Sequence, residues 1–225
     1  MENSNQSAIA WHFEVLPASA KRAIKYLSGE EWLRRSKWYL AGGTALTLQA
    51  GHRSSVDLDF FTQNSQFSAA KLIERFPKKI FSAGIIREGT IYGKLLNAKI
   101  SFISYPFFVP REDYLYYGAL PVLDERDIAV MKIIAISQRG RKRDFIDLYW
   151  YCVNREPLLN VLRRVPEQYA TVTHNFHHII KALSYFADAE AEPMPKVFFD
   201  ADWKKVKKFF ESETRKAARE LLGIK

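Results

Sequence analysis

Apolar residues fall into two regimes along the chain. Before about residue 105 they form short runs punctuated by glycine and asparagine; after Leu123 they recur at helical spacing. The first regime predicts strands with short connections and the second predicts packed helices. A helical lead-in comes first: in "PASAKRAIKYLSGEEWLRRSK" Pro17 and Ser19 suit a helix start, and one or two helices follow. "WYLAGG" reads as a strand stopped by glycines, and "TALTLQA" as a short helix packed through Leu46 and Leu48. In "SVDLDFFT", Val56, Leu58 and Phe60 alternate with Asp57, Asp59 and Phe61, a strand that carries both aspartates on one face.

"SAAKLIERF" predicts a helix capped by Ser68. Next come "KIFSAGIIRE", "GTIYGKLLN" and "AKISFISYPF", three strand patterns whose short connections imply antiparallel neighbours. "DERDIAVMKIIAISQRG" then predicts a helix from an Asp124 cap to Gly140. "RKRDFIDLYWYCVNRE" and "PLLNVLRRV" predict two more, and residues 167–186 and 202–222 read as helical around the break "EAEPMPKVFFD". The layout is α+β: a mixed sheet flanked by helices over residues 1–122 and a helical bundle over residues 123–225.

Composition narrows the partners more than the fold. The 225 residues carry a formal net charge of +9, which favours polyanions, nucleotides or nucleic acid among them. The single Cys152 excludes an internal disulfide and a multi-cysteine zinc cluster, and its aromatic surroundings predict a buried thiol. No apolar run reaches the length of a membrane span, and the amino-terminal stretch lacks a signal-peptide pattern, so the expectation is a cytoplasmic protein without a membrane partner. His174 and His178 stand four apart without a third zinc ligand at fixed spacing. "WKKVKKFFESETRKAARELL" reads as an amphipathic helix with Trp203, Val206, Phe209 and Phe210 facing inward and its lysines solvated. The tyrosines of "REDYLYYG" fit a core at least as well as a base-stacking surface.

Candidate chemistry gathers between residues 42 and 61. Two carboxylates two residues apart on a strand repel one another unless a cation sits between them. Hard oxygen ligands of this kind suit Mg²⁺ or Mn²⁺ held jointly with substrate phosphates. Just upstream, Gly42 and Gly43 permit close backbone approach, and the helix start behind them can aim N–H groups at a phosphate. Alone, either feature is common; together and in this order they suggest a nucleotide site.

The string "AGGTALTLQAGHRSSVDLDFFT" resembles the glycine-pair and D-x-D signature of the polymerase-beta-like nucleotidyltransferases. It is most similar to the AbiEii branch, toxins of abortive-infection and type IV toxin–antitoxin systems. "DERDIAVMKIIAISQRGRKRDFIDLYWY" resembles that branch's downstream helices, through Lys132, Arg139, Gly140, Arg143, Asp144 and Asp147. The resemblance implies a nucleotidyltransferase-like sheet core completed by the helical half. It implies metal on Asp57 and Asp59, and NTP phosphates on Gly42, Gly43, Thr44, Arg53, Ser54, Arg139 and Arg143. Lys132 and Asp144 join the catalytic set. The implied partners are an NTP, an RNA acceptor such as tRNA, and a cognate antitoxin. One departure stands out: the superfamily's third carboxylate would fall at or near Ser101, and there is no acidic residue between Gly89 and Glu112. Asp144 is the first candidate to replace it. The alternatives are an NTP-binding protein without transferase activity and a basic RNA-binding protein.

Overall fold

The structure, a computed structural model, describes residues 10–223; the amino-terminal residues 1–9, part of the stretch judged for a signal peptide, lie outside it. Helices α1 (Ala18–Leu27) and α2 (Glu31–Arg34) lead into β1 (Tyr39–Ala41), which passes directly into α3 (Gly42–Ala50). Then come β2 (Leu58–Thr62), α4 (Ala69–Ile73), β3 (Phe81–Arg87), β4 (Thr90–Leu95) and β5 (Ala98–Ser104). A hairpin of β6 (Leu115–Tyr117) and β7 (Leu120–Val122) follows. The helical half comprises α5 (Glu125–Arg139), α6 (Lys142–Asn154), α7 (Leu158–Gln168), α8 (Phe176–Leu183), α9 (Ala187–Glu190) and α10 (Trp203–Leu222).

Seven strands form one mixed sheet in the order β3-β4-β5-β2-β1-β7-β6. The β3–β4–β5 meander is antiparallel as its short connections require, while β5 lies parallel to β2 and β7 parallel to β1. The β6–β7 hairpin was not anticipated. It turns at Gly118, whose φ of +61° suits glycine. Tyr114, just before it, stacks on Tyr39, and Tyr117 packs against Trp11 and Phe13, while Tyr116 is exposed beneath Arg34.

Local sequence explains most boundaries. Ser68 accepts from the Lys71 amide, Asp124 from Arg126 and Asn175 from His178, three N-caps of the expected kind. Gly140, at φ +49°, ends α5 and lets α6 start on a new axis. The expectation of continuous helix over 167–186 is corrected. Helix α7 runs through Gln168 and is closed by Tyr169, residues 170–175 are irregular with His174 Nε2 bonded to the Tyr169 carbonyl, and helix resumes only at Phe176–Leu183, with the short α9 after it.

One contiguous core runs through both halves, from Leu40, Phe60 and Phe102 in the sheet to Ile133, Phe145 and Phe210 in the helices. Helix α5 packs against α3, α6, α7 and α8 at once, so apolar residues occur around most of its circumference. On α10 the expected stripe holds: Val206 and Phe210 are buried, with Trp203 and Phe209 packed beside them. Cys152 is buried and free, and burial pushes its thiol pKa far up.

Candidate active site

A cavity of about 240 Å³ opens where β2, the start of α3, and helices α5 and α6 converge. Positions 55, 57, 59 and 61 alternate along one extended segment, and all four line it. Strand β2 begins only at Leu58, so Asp57 sits one residue ahead of the ladder rather than within it. From α5 the lining residues include Ile128, Met131, Lys132, Ala135 and Arg139, a stripe at helical spacing. Lys132 and Arg139 were named from sequence; Ser55, Phe61 and the apolar members of the stripe, Ile128, Met131 and Ala135, were not named as site residues, although the same two periodicities would have found them.

The glycine pair is required by close approach, not by flexibility alone. Gly42 has φ +68°, and a Cβ there would lie 3.2 Å from Asp59 Oδ2. A Cβ on Gly43 would meet Arg53 Nη2 at 2.2 Å, inside contact distance. The register of β1 with β2 sets Ala41 opposite Asp59, so the free N–H groups opening α3 stand beside the carboxylates.

Within the pair the two aspartates differ. Asp59 Oδ1 accepts a 2.6 Å hydrogen bond from Ser101. Ser101 is directly across the β2–β5 ladder from Asp59, as the resemblance located it. Asp57 Oδ2 is 3.3 Å from Arg143 Nη1, while Asp57 Oδ1 is buried with no hydrogen-bond partner. An orphaned carboxylate oxygen beside a second carboxylate is costly unless a cation or ligand proton completes it. The donor set therefore fits a hard divalent ion shared with phosphate oxygens.

Behind the cavity lies an ion network. Asp147 is fully buried and accepts from Arg53 Nε at 2.5 Å, Arg53 Nη2 at 2.8 Å and His52 Nε2 at 2.7 Å. Lys132 Nζ is 2.6 Å from both Asp147 Oδ2 and Asp144 Oδ1. Burial alone would raise the Asp147 pKa, but the charges of Arg53 and Lys132 outweigh it and hold the carboxyl well below its usual range. For Asp144, burial is likewise outweighed, by Lys132 and Arg139. Burial keeps His52 neutral by lowering its pKa against the pull of Asp147.

Several sequence expectations are corrected by this arrangement. Thr44 lies outside the cavity lining: it is fully buried, and its hydroxyl donates to the Asp57 carbonyl at 2.5 Å and lies 2.9 Å from Ser55 Oγ, fastening α3 to the loop before β2. Ser54 is outside it too. Its amide bonds the Lys196 carbonyl at 2.8 Å, in a short bridge that pairs Arg53 with Val197. Extended backbone there sends neighbouring side chains opposite ways, so Arg53 turns inward and Ser54 does not. Asp144 lines the cavity with Oδ1 on Lys132, while its buried Oδ2 has no hydrogen-bond partner and stands 3.5 Å from Arg139 Nε; among the described residues no group of three His, Cys, Asp or Glu side chains gathers to hold a metal. Gly42, Gly43, Asp57, Asp59, Arg53, Lys132, Arg139 and Arg143 do converge as expected.

A profile described as "Nucleotidyl transferase AbiEii toxin, Type IV TA system" matches residues 32–223, nearly the whole chain. The chain belongs to the AbiEii nucleotidyltransferase toxin family. An uncharacterised protein of Aquifex aeolicus (strain VF5) is 33% identical over 190 residues, covering 79% of this chain and 86% of the relative. The AbiEii fold is shared by MenT4, a nucleotidyltransferase toxin of Mycobacterium tuberculosis H37Rv, at TM-score 0.56 and 15% identity, over 87% of this chain and 82% of MenT4. JHP933 of Helicobacter pylori superposes at TM-score 0.50 and 14% identity, over 92% of this chain and 95% of that one. The protein is thus a nucleotidyltransferase of a toxin family, and among its described residues no helix is long and apolar enough to cross a membrane.

Proposed function

We propose that the protein transfers a nucleoside monophosphate from an NTP, bound with Mg²⁺ or Mn²⁺, to a hydroxyl of RNA, tRNA included, and that a cognate antitoxin opposes this act. The observation that carries the reading is the unpartnered Oδ1 of Asp57 beside Asp59, at the foot of the α3 N-terminus. Asp57 and Asp59 would hold the cation, which when bound neutralises phosphate charge.

The chain's own groups account for the rest. The first amides of α3 face the triphosphate oxygens. Arg143 and Arg139, both at the cavity wall, offset the charge that builds on the leaving pyrophosphate. Arg53 and Lys132 do so from behind, with their orientation fixed by Asp147. Phe61, Ile103, Tyr105 and Met131 give the nucleoside an apolar wall. In the transfer, the acceptor oxygen bonds to the α-phosphorus and the bond from that phosphorus to the bridging oxygen breaks. Its electron pair leaves with pyrophosphate, and the hydroxyl proton passes to water, since a serine occupies position 101. The test is incubation with Mg²⁺, each α-labelled NTP in turn and total tRNA. Wild type should label tRNA and Asp57→Ala should not; no labelling by wild type, or equal labelling by the variant, refutes the proposal.

A further inference from the structure

A second recess opens on the other side of Asp57 and Asp59. It shares the aspartates, Phe61, Ile103, Arg139 and Arg143 with the first cavity, and adds Tyr92, Lys99, Ser101 and Arg141. In-line displacement at phosphorus brings the attacking oxygen in opposite the departing one. Two recesses meeting at one carboxylate pair supply that geometry: one side for the triphosphate, the other for the acceptor.

The sheet gives the second side a defined surface. Tyr92 of β4 is paired with Ser101 of β5, and Ser101 with Asp59 of β2, so the three side chains stand in a row on one face. At about 4.8 Å per strand, Tyr92 is roughly 10 Å from Asp59. A nucleotide whose base lies on Tyr92 therefore holds its ribose over Ser101, within reach of the carboxylates. Tyr92 is 45% exposed, which leaves its ring open for a base to stack on. One register step along the same face, Lys94 is paired with Lys99. Among the described residues neither lysine nor Arg141 is in ion-pairing distance of a carboxylate. Their charge is unspent. A different, more apolar recess, lined by Phe107, Ile134, Val172 and His174, includes no lysine or arginine and so does not suit a phosphate chain.

We propose that this face is the acceptor site and takes the 3′ end of a single-stranded RNA. The terminal base stacks on Tyr92, the terminal ribose hydroxyl points at Asp59 past Ser101, and upstream phosphates run over Lys99 and Lys94, with Arg141 flanking. The proposal rests on the transferase reading for its direction of attack, but the binding surface can be tested apart from it.

The experiment uses the full chain and an unstructured RNA 12-mer, dye-labelled at its 5′ end, in anisotropy titrations at several salt concentrations. Tyr92→Ala should weaken binding roughly 5- to 100-fold, the range for loss of one stacked base. Tyr92→Phe should bind as wild type, and Lys94→Glu/Lys99→Glu should weaken binding and flatten its salt dependence. All these positions are at least partly exposed, so unchanged thermal midpoints verify folding. In parallel, the affinity for each NTP with Mg²⁺ should be unaffected. Unchanged RNA affinity in Tyr92→Ala and in the lysine double variant overturns the acceptor site. So does preferential capture of an acidic protein, unaffected by the 12-mer, on the same residues. Absence of nucleotide transfer by wild type with these RNA effects intact would strike only the transferase reading.

Discussion

Replacing Asp147 by Asn tests whether the buried ion network holds the site together. The substitution keeps the shape and deletes one charge. In the native protein Asp147 and Asp144 neutralise Arg53 and Lys132, two against two, with His52 neutral. Asp147 accepts from Arg53 on both oxygens and from His52 on Oδ1, and Oδ2 also lies 2.6 Å from Lys132 Nζ. Asparagine offers one acceptor oxygen, and its amide group would point donors at donors. Two buried cations would then share a single carboxylate. Removing one partner of a buried pair costs about 3–5 kcal/mol. At about 2–4 °C per kcal/mol for a chain of this size, the midpoint should fall by at least roughly 6 °C. The assay is thermal unfolding by circular dichroism, with Asp200→Asn as the control. Asp200 also forms a 2.7 Å pair, with Lys205, but is 91% exposed, and its loss should leave the midpoint unchanged. Because Asp147→Asn leaves a surplus positive charge behind the cavity, added tripolyphosphate should raise the variant's midpoint more than wild type's. A midpoint shift as small as the control's would refute the reasoning.

Stability should decline as pH falls through two windows. The folded pKa of His52 is lowered, so the unfolded chain takes up its proton first, near pH 6.5, and stability is lost below that value; His52→Gln should remove this limb of a pH–midpoint curve. The lowered pKa values of Asp144 and Asp147 stabilise the fold above the unfolded carboxylate range and produce a second loss below about pH 4. Ser101→Asp puts a third carboxylate across the ladder from Asp59. Without divalent metal the repulsion should cost about 3 kcal/mol, taking two charges about 5 Å apart at an effective dielectric of about 20, and Mg²⁺ should restore the midpoint. Cys152 should resist a thiol reagent at pH 8 in native protein and react only on unfolding, read by mass.

What could be read along the chain was what depends on neighbours in sequence. The alternation of "SVDLDFFT" put Asp57 and Asp59 on one face, cap residues set the starts of α4 and α5, and Gly140 ended α5, because strand pleat, N-cap bonding and the left-handed turn are local events. The glycine pair and D-x-D strand marked the site for the same reason. Which polar groups serve it was decided by packing between distant segments. Arg53 meets Asp147 across 94 positions, because a bridge to Val197 turns it inward and α6 lies against α5. That same bridge turns Ser54 away, and burial of Thr44 under the Asp57 carbonyl spends its hydroxyl. Lys132 and Asp144 were legible as charges on helices, but each is the other's partner only once α5 and α6 pack. Ser101 acquires its significance from the β2–β5 register, which sets it against Asp59 and leaves Tyr92 one strand beyond. Helix spacing and strand alternation fix which way a side chain leaves its own element; an ion pair or a cavity needs two elements to meet, and only the tertiary structure decides where they do.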